Sequence, residues 1–385
     1  MRNIHDVAII GAGPAGSYTA YQLAKDDFDV LVLEKNGPAV LTPACTGIIS
    51  LEAFKRFHLP EDSIISEIRD IKLISPSGLT LAFRPVSTLA YIVDRIKFDQ
   101  GLRELALKNG ANIKLSASCR EIQIKDTHVE VRVNDSGEPI RAKAVVIASG
   151  FYHKFCENLD LGSPPDYIQG VQTEVLIEGI EGTEIHVGNG IAPGSFAWVV
   201  GIGNSRARIG LTTKKHAPVF LDKFLEGSHL KDKIKEKGPI LCKAIPLGSL
   251  KMTYSNRLLV VGEAAGLVKA TTHGGIYYGL ISSQLAVETL KEAFRSGDFG
   301  SHIMRRYEER WRSSLGREIK TGYNLRRIFS SLHDCQINRF FKIAMHDGIM
   351  DIVYKNARFD WHSDLIFSLA RSSSLKNIYP VFFNS

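Results

Sequence analysis

The first sixteen residues constrain this chain most. Ile4 to Ile10 is a β-rich run, and Gly11-Ala12-Gly13-Pro14-Ala15-Gly16 follows at once. Ser17 to Lys25 then reads as a helix, and Asp29 to Glu34 as a second strand. Gly11 permits the tight turn, Gly13 lets a pyrophosphate approach the backbone, and Gly16 lets helix and strand pack closely. The helix N-terminus offers free N–H groups and a positive dipole end to phosphates. Glu34, eighteen residues after Gly16, can accept hydrogen bonds from a ribose hydroxyl. The unit predicts an α/β chain with a Rossmann-like dinucleotide site over Gly11, Gly13, Pro14, Ala15, Gly16, Glu34 and the adjoining Lys35.

A chain of 385 residues that is 44% hydrophobic predicts two or three units rather than one core. Its longest apolar runs, such as Leu258 to Val261, fall far short of a membrane span. Asp6 inside the opening strand argues against a signal peptide. The five cysteines show no CxxC or metal spacing, so no metal site and a cytoplasmic chain with reduced thiols are expected. The net charge of +7 is local: residues 305–327 hold eight Lys/Arg against three Asp/Glu. Ile303, Tyr307, Trp311, Leu315 and Ile319 recur every four residues there, which predicts a helix packed by one face. Its basic face is either solvated surface or, over 301–327, a peripheral membrane contact. No recognition motif accompanies the charge, so nucleic acid is not an expected partner.

Further along, Cys45 sits between a proline and a glycine near a helix start at Leu51, where a thiol pKa can be lowered. A small residue in a tight loop is the alternative there. Ile68 to Ile74 and Leu79 to Phe83 read as a β-hairpin around Ser75-Pro76-Ser77-Gly78. Arg95 stands at a strand-to-helix junction, with a helix over Ile96 to Asn109. Ala142 to Ala148 is a continuous apolar run ending in Ser149-Gly150, as in a buried parallel strand that reaches a crevice. From about 166 to 250, alternating runs separated by Gly/Pro/Asn turns predict an antiparallel sheet suited to covering a cofactor and holding substrate. Gly201-Ile202-Gly203-Asn204-Ser205-Arg206 lies between two of these runs and reads as a hairpin, not as a second phosphate loop. Leu258 to Gly266 (LLVVGEAAG) is a buried strand ending in an acid, Glu263. Thr271 to Ile276 then opens a helix running to about Arg295. The domain reading is therefore 1–165 plus 251–300 for the cofactor, with a hairpin insertion near 66–90, then 166–250 for substrate. Residues 301–385 form a helical C-terminal region, and the apolar tail Ile378 to Phe383 could close a pocket or touch lipid.

Four blocks together carry a resemblance: GAGPAG with Glu34, PACTGIIS, YIVDRIKFDQGL and VGEAAGLVKATTHGGIYYGL. A fifth runs from Gly188 to Val200 (GNGIAPGSFAWVV). The chain resembles the geranylgeranyl reductase family, within the FAD-dependent group shaped like p-hydroxybenzoate hydroxylase. The resemblance implies FAD contacts at Ala15, Glu34, Cys45, Thr46, Gly47, Arg95, Cys119, Glu263, Gly275 and Ile276. Gly150, closing its buried strand, is a further candidate. It also implies that Phe196 and Trp198 line a lipid cavity. Three departures stand out. Glu263 replaces the usual Asp, Phe196 replaces a tyrosine, and Val200-Gly201 replaces Phe-Pro.

The expected activity is hydrogenation of prenyl double bonds by hydride from reduced FAD. Cys45, His273 and Tyr277 are the candidates for the proton. Expected partners are a prenyl lipid or prenyl diphosphate and an external electron donor, NAD(P)H or a ferredoxin-type protein. A flavin monooxygenase is the rival enzyme. A non-redox FAD- or lipid-binding protein is the rival of another class.

Overall fold

The computed structural model describes residues 4–37, 44–134, 137–180, 182–227, 230–346 and 348–372. The opening strand His5–Ile10 pairs in parallel with Val30–Leu33 on one side and Ile140–Ile147 on the other. Leu258–Val260 adds in parallel beyond Ile140–Ile147, and Asn112–Lys114 beyond Val30–Leu33. Val7 to Ile9, Val30 to Leu33 and Ala144 to Ile147 are all buried, which explains their apolar runs without alternation. The sheet draws strands from both sides of a long excursion, because Leu258–Val260 returns to it.

That excursion is a second sheet. In spatial order it holds Ile234–Lys237, Asp166–Ile177, Arg206–Thr213, Phe196–Gly203, Thr183–Val187, Ile71–Ile74 and Thr80–Phe83, with Leu241–Leu247 also on Asp166–Ile177. The strands from 166–250 pair antiparallel, as expected, and Ile71–Ile74, from outside that range, adds parallel to Thr183–Val187. The run Ile68 to Ile74 is not one strand. It divides at Arg69-Asp70, so that Ile64–Ile68 joins a small sheet with Ile48–Ser50 and Ala90–Val93. The hairpin 71–83 thus serves the second sheet, and that long-range pairing has no local signature. Asn204 and Ser205 both take positive φ at the tip of the 196–213 hairpin, as a two-residue turn requires.

The helix Ile276–Ser296 packs on Pro14–Ala24 and on the long helix Ser301–Phe329. Ile303, Tyr307, Trp311, Leu315 and Ile319 are its buried stripe. Helices Asp334–His346, Ile349–Asn356 and Ser363–Arg371 complete the C-terminal region. The apolar tail 378–383 lies outside the described residues.

Candidate active site

The glycine turn has the geometry its sequence implies. Gly11 has φ +106°, and a Cβ there would lie 2.5 Å from the Ala148 carbonyl oxygen. A Cβ on Gly16 would lie 1.9 Å from the Gly11 carbonyl oxygen. At Gly13 a Cβ would meet nothing within 4 Å. That open space stands directly before the helix Pro14–Ala24, where free N–H groups converge. Glu34 closes the other side: the Ala12 N–H donates to its Oε2 at 2.8 Å and the Asn36 N–H to its Oε1 at 2.9 Å.

The cradle opens into one continuous cavity of about 2310 Å³. That exceeds the roughly 300–1,000 Å³ of a site for one drug-sized ligand more than twofold. Every candidate cofactor residue lines it except Gly16, which sits behind the turn: Pro14, Ala15, exposed Lys35, Cys119, Gly150, Gly275 and Ile276 are all in the wall. Glu263 carries one methylene more than aspartate, and its Oε2 accepts from Lys243 Nζ at 2.7 Å. Burial pushes the Cys119 thiol up to about 12, so its side chain is inert there.

The loop 44–47 is clamped from the second sheet. The Gln172 amide donates to the Cys45 carbonyl at 3.1 Å and accepts from the Thr46 hydroxyl at 3.3 Å. Arg208 Nη1 donates to the carbonyls of Thr46 at 2.6 Å and Val93 at 3.1 Å. Gly47 has φ +78°, and a Cβ there would lie 2.9 Å from that Arg208 nitrogen. Arg95 is buried and bonds Asp99 through Nε at 3.2 Å and Nη2 at 3.0 Å. Burial opposes its charge, but Cys45 and Asp99 outweigh that and raise its pKa. Gln172 and Arg208 were not singled out from sequence. The only available signal was a large polar residue at a position surrounded by buried apolar neighbours: Gln172 beside Val171, and Arg208 between Ala207 and Ile209.

Aromatic groups form the opposite wall. The His273 and Phe196 rings stack at 5.2 Å and 3°, and Phe196 lies 6.0 Å from Trp198. Gly210 makes room for the indole, since a Cβ there would sit 2.4 Å from Trp198 Cζ2. Beyond them the cavity continues past Leu325, Ile328, Phe329, Ile337 and Phe341. These five side chains make that part of the wall apolar.

The three proton candidates differ in their surroundings. Burial pushes His273 down to about 3, with the Arg326 charge adding to the effect. Its imidazole is therefore neutral at ordinary pH and holds no acidic proton. The Tyr277 hydroxyl donates to Glu52 Oε1 at 2.5 Å, and burial together with that carboxylate raises its pKa. Tyr277 is thus a structural link between the helix it opens and Leu51–Arg56. Cys45 lines the cavity beside Arg95, is half-buried and unbridged, and remains in position. The basic face of Ser301–Phe329 is also largely spent. Arg305, Arg306, Arg310, Arg312 and Arg317 each pair with a carboxylate. Much of this face is thus exposed surface laced with ion pairs.

The cradle, its acid and the covering sheet define the class: an FAD-dependent oxidoreductase of the p-hydroxybenzoate hydroxylase-like fold, with room for a long apolar substrate. The family model "Glucose inhibited division protein A" matches residues 6–164, which include the glycine turn and Glu34. A digeranylgeranylglycerophospholipid reductase of Methanosphaerula palustris is 30% identical over 88% of this chain and 89% of its own length. One of Methanococcoides burtonii is 29% identical over 96% of both chains. The solved structure of a geranylgeranyl bacteriochlorophyll reductase-like protein from Thermoplasma acidophilum superposes with a TM-score of 0.85, at 22% identity, over 98% of this chain and 99% of that one. The flavin-dependent brominase Bmp2 shares the fold at a TM-score of 0.73 and 18% identity, over 96% of this chain and 98% of that one. The chain belongs to the geranylgeranyl reductase family, which includes these digeranylgeranylglycerophospholipid reductases.

Proposed function

We propose that this chain is an FAD-dependent reductase that hydrogenates the double bonds of geranylgeranyl-type chains. The observation that carries the reading is the cavity: one space runs from the Gly13 cradle to an apolar chamber. The residues present fit FAD, because the space at Gly13 is free, the helix N-terminus adjoins it and Glu34 stands at the end of the neighbouring strand, bonded to the Ala12 N–H of the same turn. Gly11, Gly13, Pro14 and Ala15 would hold the pyrophosphate, and Glu34 and Lys35 the adenosine side. Glu263 and Gly150 would meet the ribityl chain, and Gly275 and Ile276 the ring edge. Arg95, Cys45, Thr46 and Gly47 would line its other side, with the Cys119 backbone by the adenine. Reduced FAD supplies the hydride.

The protein supplies position, dryness and a proton. An isolated alkene is a poor hydride acceptor, so orientation must lower much of the barrier. Phe196 and Trp198 would hold the chain flat, and each methylene buried beyond them contributes about 0.8 kcal/mol. Cys45 is the proton donor this reading favours, and Gln172 and Arg208 are its positioning residues. Substrate enters at the rim formed by Leu325 and Ile328, which line the cavity and are 38% and 50% exposed. No described helix is long and apolar enough to cross a membrane. Contact with a bilayer would therefore be peripheral, through this apolar rim rather than the arginine face. Electrons would come from an external donor.

The test is anaerobic incubation of FAD-loaded, dithionite-reduced protein with mixed prenyl lipids, followed by mass spectrometry. Gain of hydrogen pairs without oxygen is expected. No anaerobic product, with oxygen insertion once air and NAD(P)H are supplied, would overturn the reading in favour of a monooxygenase.

A further inference from the structure

The segment 267–275, between the Glu263 turn and the helix Ile276–Ser296, lies in no helix or strand. It closes on itself: the Lys269 N–H donates to the Gly274 carbonyl at 3.1 Å, and the His273 N–H to the Lys269 carbonyl at 2.8 Å. His273 has φ +60°, an outlier for a residue with a Cβ. Such a conformation is kept only where the surroundings over-determine it.

Those surroundings include five residues of the C-terminal region, 359–363. Lys269 Nζ bonds Asp360 Oδ1 across 91 positions, and the two side chains are 6% and 1% exposed. Removing one partner of a buried ion pair leaves the other charge uncompensated, so each holds the other in place. A Cβ on Gly274 would lie 3.0 Å from Lys269 Cε, so the lysine stem is packed directly against the end of the segment. The Thr271 hydroxyl lies 2.6 Å from His362 Nδ1, and His362 Nε2 lies 3.0 Å from the Phe359 carbonyl. Burial and the Lys269 charge favour the neutral ring. A carbonyl only accepts, so the ring proton sits on Nε2 and Thr271 donates to Nδ1. The Tyr278 hydroxyl donates to the Asp360 carbonyl at 2.9 Å. Trp361 Nε1 donates at 3.0 Å to Glu52 Oε1, the oxygen that also holds Tyr277. Residues 359–363 are anchored from behind as well. Glu318, on the long helix Ser301–Phe329, accepts through Oε2 from the His362 N–H at 2.8 Å and the Ser363 N–H at 3.0 Å.

We propose that residues 359–363 form a strap that sets the shape of segment 267–275, with Asp360 and His362 as positioning residues for the cofactor's ring edge. The strap rests on the bonds above. Its bearing on the cofactor rests on the reading that places Gly275 and Ile276 at the ring edge.

The experiment uses the full chain and compares Asp360→Asn, Thr271→Val and Thr271→Ser with wild type. Hydrogen–deuterium exchange of the FAD-free proteins is read by mass spectrometry on peptides covering 267–275 and, as the reference, 140–147. Exchange at a protected amide follows local opening. FAD Kd is read by fluorescence titration. Asp360→Asn and Thr271→Val should speed exchange over 267–275 at least tenfold, leave 140–147 unchanged and raise the FAD Kd at least threefold. Thr271→Ser keeps the hydroxyl and should match wild type in both readouts. Unchanged exchange over 267–275 in both Asp360→Asn and Thr271→Val would overturn the proposal. So would equal acceleration over 140–147, which would make these contacts a matter of global stability. Faster exchange confined to 267–275, with the FAD Kd unchanged, would overturn the positioning role and remove the ring edge from Gly275 and Ile276. If wild type binds no FAD, the cofactor reading fails, and the exchange comparison still decides the strap. Melting temperature reports misfolding of Asp360→Asn, in which case the contrast between Thr271→Val and Thr271→Ser decides.

Discussion

Gly13 and Gly16 lie three residues apart, yet the structure assigns them opposite failures. Gly13 has φ −74° and ψ −179°, a conformation any residue adopts, and nothing stands within 4 Å of an added Cβ. Gly13→Val should therefore leave the FAD-free protein as stable as wild type. Its side chain would fill the space kept for the pyrophosphate. Saturation with FAD at 100 times its Kd stabilises the wild type by about 2.7 kcal/mol. Gly13→Val should lose nearly all of that, a fall of roughly 3 °C in the FAD-dependent part of the melting temperature. Gly16→Ala meets the Gly11 carbonyl oxygen at 1.9 Å, a backbone atom that cannot swing aside. Separating them should cost about 1–3 kcal/mol or more of intrinsic stability, with or without FAD. Thermal melts of both variants, with and without FAD, and the bound flavin absorbance, make the comparison. Normal flavin content in Gly13→Val, or an equal loss of FAD-free stability in both variants, would refute the assignment of that space.

Cys45→Ser should keep FAD and lower turnover about tenfold or more, read in single-turnover alkene reduction; unchanged turnover would remove Cys45 as the proton source. Arg208→Met should release the 44–47 loop, so turnover falls while the melting temperature drops by only a few degrees; a loss of folding would mean that Arg208 is mainly structural. His273 is held neutral in the folded state, with its pKa lowered to about 3, whereas the unfolded chain protonates near the ordinary value of 6.5. The unfolded state then binds more protons at acid pH, so stability is full above about 6.5 and falls towards 3. Between pH 7 and 5 this amounts to about 2 kcal/mol, and His273→Asn, which tolerates positive φ, should flatten that limb of a urea-midpoint titration. An equal acid loss in the variant would place the effect on His153 or His362, whose pKa values burial also lowers.

What was legible in the sequence was legible because it is local. The turn at Gly11 to Gly16 states its own geometry, and the run Ala142 to Ala148 states its burial on both faces. The stripe from Ile303 to Ile319 likewise states which side of its helix packs. What was missed depends on pairing at a distance. Ile71–Ile74 joins Thr183–Val187 across more than a hundred residues, and Gln172 reaches Cys45 across 127 positions. The pairing of charges is illegible for the same reason. Counted along the chain, residues 305–327 carry an excess of five, but Glu292, Glu308, Glu309 and Asp364 take up most of their arginines in space. Arg326 differs from these: it is buried, and its nearest carboxylate, Asp166, is divided among three donors.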